Sequence, residues 1–142
     1  MVEISEEFKI VFWGDKKKIT ILSFGSMYPN DNEIYLRDLQ SNLVSVSSDY
    51  FYYEYRGPIF LKSEIINFSQ ELYLLLQKKI EKAELVADEE EMEIKVECNK
   101  GKFQVSFIFL KNDLIEEKWQ YETSFEVDEI NLKDIYCKIK NL

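Results

Sequence analysis

Most of the chemistry legible in this chain lies in one short run. Tyr50-Phe51-Tyr52-Tyr53-Glu54-Tyr55 holds five aromatic side chains, and Arg56 follows directly. Tyrosine joins a large apolar ring to a polar tip, a combination enriched where proteins meet partners. In an extended strand Tyr50 and Tyr52 share one face, while Phe51, Tyr53 and Tyr55 share the other. Both faces are then aromatic, although Val44 and Val46 just upstream alternate with Ser45 and Ser47 as a half-buried strand should. Two readings stand side by side. The run is a strand covered on both faces, or it is a partner surface. In the second reading Tyr50, Tyr52, Tyr53, Tyr55 and Arg56 supply the packed centre.

Carboxylates are the other candidate groups. Asp88-Glu89-Glu90-Glu91, flanked by Glu84 and Glu93, forms an acidic cluster between a helical and an extended pattern. It reads as a solvated loop or as a docking surface that steers a partner by charge. Glu116-Glu117 and Glu89-Glu90 could in principle do acid/base work or hold a hard cation. Adjacent carboxylates on a strand or turn point apart, however, and the calcium-loop pattern with its fixed glycine is missing. Histidine is absent from the sequence, and Cys98 and Cys137 have no second ligand at metal spacing. Gly14-Asp15-Lys16-Lys17-Lys18 lacks phosphate-loop spacing and reads as a hairpin tip. The chain is therefore read as a non-enzyme that uses neither cofactor nor metal.

With 27 acidic against 18 basic residues the formal charge is -9, which repels phosphate and favours a basic partner over nucleic acid. Glu3, Glu6, Glu7 and Asp15 interrupt the start of the chain, so no signal or transit pattern is read there. No apolar run is long enough to span a bilayer. The reading is cytoplasmic, with two reduced and largely buried thiols.

Positioning these residues requires an ordered scaffold. A chain of 142 residues is long enough to bury roughly 70% of its unfolded surface as one domain, residues 1–142. Phe8 to Trp13 and Lys18 to Phe24 read as strands around a Gly14-Asp15 turn, Ile34 to Leu36 as a short strand, and Leu43 to Tyr53 as a third long one. Gly57-Pro58 is expected to end it. From Ser63, read as an N-cap, apolar residues Ile65, Phe68, Leu72, Leu75, Leu76 and Ile80 recur at helical spacing, and Lys78, Lys79 and Lys82 load the last turns. Period two then returns. Met92 to Cys98, a turn at Asn99-Lys100-Gly101, Phe103 to Phe109 and Trp119 to Val127 predict an antiparallel meander. Asp128 caps a final helix through Ile139. The fold class is α+β: an antiparallel sheet of about six strands, one long central helix and a C-terminal helix.

This order resembles the WapI-type immunity proteins of bacteria and related small bacterial families of unassigned function. The likeness rests on Ile65-Ile66-Asn67-Phe68 with Leu72 and Leu75-Leu76, on Met92-Glu93-Ile94-Lys95-Val96, on the Gly101 turn, and on Ser124-Phe125-Glu126-Val127-Asp128 with Leu132 and Ile135. It covers the chain from Val44 to Leu142. The resemblance implies a cytosolic protein that binds and neutralises a cognate toxin domain, typically a nuclease. Its matches are core and turn positions, so no binding residue is carried over from the family. The alternative function is a small-ligand domain with a tyrosine-lined pocket, and an exposed aromatic patch could equally serve homo-oligomer formation.

Overall fold

The computed structural model describes residues 6–87, 92–112 and 118–142. Strands β1 (Phe8–Gly14), β2 (Lys17–Ser26), β3 (Leu39–Ser47) and β4 (Tyr52–Leu61) form one antiparallel sheet in that order. Strands β5 (Lys82–Val86), β6 (Met92–Asn99), β7 (Lys102–Asn112) and β8 (Lys118–Val127) form a second. Helix α1 (Ile34–Asp38) joins β2 to β3, α2 (Lys62–Leu76) joins the sheets, and α3 (Glu129–Ile139) ends the chain.

The α+β class stands, but the single sheet of about six strands is replaced by two sheets of four. Alternation tells which residues face inward; it does not tell which strands share hydrogen bonds. The expected strand from Leu43 to Tyr53 is in fact two, β3 and β4, with a turn closed by the Ser48 N–H donating to the Phe51 carbonyl at 2.8 Å. Gly57-Pro58 lies inside β4 and not at its end. Ile34-Tyr35-Leu36 falls in a single helical turn with Ile34 and Tyr35 exposed.

The β1–β2 and β6–β7 hairpin turns follow from backbone chemistry. Asp15 and Lys16 have φ of 44° and 65°, and Lys100 and Gly101 have 53° and 78°. Paired left-handed residues twist a short loop to match the flanking strands.

Helix α2 begins differently from the sequence expectation. Its N-cap is Leu61, which has no side-chain acceptor; Glu64 accepts from the Leu61 N–H at 2.7 Å instead. Ser63 binds Asp38 through its hydroxyl at 2.7 Å and its N–H at 3.1 Å, tying α2 to the end of α1. The helix stops at Leu76, and Lys78 turns left-handed with φ 60°, so Lys78, Lys79 and Lys82 lie beyond it. Lys82 opens β5, a strand the helical reading concealed. In α3 the expected cap is present: the Asp128 carboxylate accepts from the Asn131 N–H at 2.7 Å.

One hydrophobic core joins all of this. Ile10, Phe12, Ile19, Ile21, Val44 and Val46 from the first sheet meet Ile94, Val96, Val105 and Phe107 from the second, with Phe68, Leu72 and Leu75 of α2 and Leu132, Ile135 and Ile139 of α3. The sheets cross steeply. Along β8, Tyr121 stacks on Phe51 beside the β3–β4 turn, while Glu126 lies against Gly14 in the β1–β2 hairpin. Those two β8 positions are about 17 Å apart, close to the roughly 14 Å from β1 across to β4, so β8 runs across the hairpin ends of the first sheet. No helix among the described residues is long and apolar enough to cross a membrane.

Candidate interaction surfaces

The aromatic run divides between two sides of the first sheet. Phe51 stacks on Tyr121 with ring centres 4.4 Å apart and planes 11° apart. Tyr53 and Tyr55 pack on Phe109 at 4.9 and 5.9 Å, half-buried between the sheets. Tyr52 points the other way at 64% exposure, and Tyr50, in the turn before β4, is 100% exposed. The reading of a strand covered on both faces therefore fits only the inward set. The outward set is open because neither α2 nor α3 packs on the outer face of this sheet among the described residues.

Strand register arranges that outer face in rows. Lys9, Leu22, Leu43 and Arg56 lie opposite one another; Val11, Thr20, Ser45 and Glu54 form the next row; Trp13, Lys18, Ser47 and Tyr52 form the third. Trp13, 49% exposed, is an aromatic anchor that the sequence reading assigned to a strand without giving it a surface role. Arg56 lies over the Phe24 ring at 5.1 Å, a cation–π contact that fixes its guanidinium on the face. The Tyr52 hydroxyl donates to Glu54 at 3.2 Å. Its pKa is raised, first by partial desolvation and then by the Glu54 charge, so it remains a neutral donor.

The two hairpin ends of the sheet meet across a hollow of about 410 Å³ bordered by Trp13, Lys16, Lys18 and Ser47. Lys16 bridges to Asp49 of the neighbouring turn at 3.8 Å, while Lys17 donates to the Ser124 carbonyl of β8 at 3.4 Å.

Charge separates between the two outer faces. The second sheet carries Glu84, Glu93, Glu97, Glu122 and Glu126 outward against Lys82, Lys95 and Lys102; Lys82 pairs with Glu84 at 3.0 Å and Lys95 with Glu97 at 3.1 Å. Glu97 holds the Lys95 ammonium above its ordinary pKa, through its hydrogen bond first and its charge second. The first sheet presents Lys9, Lys18 and Arg56 against Glu54. Among the described residues the outer face of the second sheet is thus the more acidic of the two. Asp88, Glu89, Glu90 and Glu91 lie outside the described residues, as do Glu116 and Glu117. Their flanks Glu84 and Glu93 stand on the acidic face. Glu122 and Glu126 were missed by the sequence reading, although their period-two spacing with Gln120 and Ser124 in a strand was the available signal.

Among the described residues no group of three or more acidic, cysteine or histidine side chains could hold a metal. Cys98 and Cys137 are free thiols, and Cys137 is exposed on α3 instead of buried as expected, because it falls on the polar side of the helix between Ile135 and Ile139. No family model, curated protein or solved structure matches this chain. Function must be read from its own surfaces.

Proposed function

We propose that this chain is an immunity-type binding protein that neutralises a basic protein partner, a nuclease toxin domain being the expected class, by stoichiometric contact. The observation that carries the proposal is the outer face of the second sheet, which among the described residues presents five glutamates against three lysines. A toxin surface built to attract phosphate is attracted to such a face, and complementary fields speed encounter and reject wrong partners.

The aromatic anchors adjoin this face at β8. Phe51 stacks on Tyr121, so the exposed Tyr50 beside it stands at the end of β8 nearest Glu122, while Trp13 stands near Glu126 through the Gly14 contact. A partner lying along β8 would bury Tyr50 and Trp13 as packed centres and meet Glu122 and Glu126 as charges. Tyr52 and Arg56 extend the contact on the first sheet, and Asp88, Glu89, Glu90 and Glu91 belong to the same proposal as steering charges. Tyr53 and Tyr55 are half-buried, so alanine there removes packing between the sheets as well as any surface contact.

Exposed anchors give a cleaner test. Tyr50→Ala is expected to leave unfolding free energy within about 0.5 kcal/mol of the parent while weakening the complex about tenfold or more. Denaturation and calorimetric titration of the same variant separate the two effects, and an unaltered affinity removes Tyr50 from the contact.

A small-ligand function has its own observation, the hollow beside Trp13. No tyrosine lines it, unlike the pocket expected from the sequence; its Trp13 wall with Lys16, Lys17 and Lys18 against Asp15 suits an anionic compound with a planar or sugar face. A rise in melting temperature with such compounds, abolished by Trp13→Ala, is the expected sign of that use.

A further inference from the structure

Each sheet ends in two edge strands, and three of the four edges are covered in part. Asn131 of α3 closes β1 by accepting from the Trp13 N–H at 3.2 Å and donating to the Val11 carbonyl at 2.7 Å. The β1–β2 hairpin covers the Ser124 to Glu126 end of β8, with Lys17 on the Ser124 carbonyl and Gly14 against the Glu126 carbonyl. Helix α2 lies along β5, where Glu71 accepts from the Glu84 N–H at 3.4 Å. The fourth edge, β4, has no element packed along it among the described residues beyond its junction with α2.

The phase of the β3–β4 ladder tells which groups this edge offers. The Ser48 N–H bonds to the Phe51 carbonyl, so with register Val46↔Tyr53, Val44↔Tyr55 and Asn42↔Gly57 these pairs exchange the ladder bonds. Tyr52, Glu54 and Arg56 then turn their N–H and carbonyl groups outward. Pro58 falls in the same outward set, the place where a missing N–H costs the sheet nothing.

We propose that two copies of the chain pair through this edge, antiparallel and two-fold symmetric, with Tyr55 at the axis and Glu54 of each copy opposite Arg56 of the other. Charge selects both the occupant and the register. This alignment makes two opposite-charge cross-strand pairs and about four main-chain hydrogen bonds. Moving the axis to Glu54 sets that carboxylate against its own copy, and moving it to Arg56 sets two guanidinium groups together while Glu54 meets Pro58. Among the described residues neither Glu54 nor Arg56 takes part in an ion pair within the chain. Both side chains lie exposed on the outer face, able to meet a neighbour. Because a copy seated on another edge would meet α3, α2 or the β1–β2 hairpin along part of that edge, association ends at two copies instead of growing into a fibre. The pairing does not rest on the basic partner proposed above, although Arg56 belongs to both contacts.

Sedimentation velocity of the full chain from micromolar to submillimolar concentration tests this. The unmodified chain should pass from monomer to dimer as concentration rises. Glu54→Arg and Arg56→Glu should each raise the dimer dissociation constant about tenfold or more, and the double reversal should return it to within about threefold of the parent. Circular dichroism of each variant checks that the fold is retained. A chain that stays monomeric throughout, assembles beyond two copies, or dimerises equally well with either single reversal would overturn the proposal. So would a double variant no better than the singles.

Discussion

Gly14→Ala should destabilise the fold by about 2–4 kcal/mol, because a Cβ at that position would run into the main-chain carbonyl of Glu126. The obstacle is backbone, not the flexible end of a side chain, so the hairpin and β8 must separate to admit one methyl group. Gly14 is not among the glycines with positive φ, so contact and not backbone strain causes the loss. Gly101 provides the contrast. It has φ 78° with nothing within 4 Å of an added Cβ. Gly101→Ala should therefore cost only the left-handed strain of about 1–2 kcal/mol. Urea denaturation of the two variants compares them directly, and a Gly14→Ala protein within about 0.5 kcal/mol of the parent would contradict the close approach.

Asn131→Ala should cost a similar amount, about 2–4 kcal/mol, by leaving the Trp13 N–H and the Val11 carbonyl without the partners they have now. Asn131 is 2% exposed, so water does not readily replace the amide. The loss should appear in two ways: a lower unfolding free energy, and faster hydrogen exchange at the Trp13 amide than at amides of β2 and β3. Uniform acceleration across the sheet would mean global destabilisation without the local opening expected of an unsealed edge.

Much of this architecture was legible where alternation and turn chemistry agreed. Met92, Ile94 and Val96 face the core as their spacing requires, Lys100-Gly101 makes the turn to β7, and Asp128 caps α3. The aromatic run misled because its density obscured a turn. Ser48-Asp49-Tyr50 carries turn residues, and Val44 and Val46 before it face inward together with Tyr53 and Tyr55 after it, a change of phase that one continuous strand cannot make and that aromatics on both faces of the run concealed. Likewise Ala83 and Leu85 alternate with Glu84 and Val86, but the lysines preceding them read as the end of a helix. That the strands divide into two crossed sheets could not be read locally, since pairing depends on where α2 returns the chain. The candidate surfaces were legible only in part. Tyr50, Tyr52 and Arg56 are outward as a contact requires, whereas Trp13, Glu122 and Glu126 gain a surface role only when β8 passes beneath the hairpins of the first sheet.

The most direct test of the proposed function is calorimetric titration of this chain with basic nuclease domains, the proposed class of partner, at low and moderate salt, for the parent and for Glu122→Lys with Glu126→Lys. The account predicts a one-to-one complex that weakens as salt rises and loses about tenfold or more in affinity on the double charge reversal. No complex, or one indifferent to both salt and reversal, would contradict it.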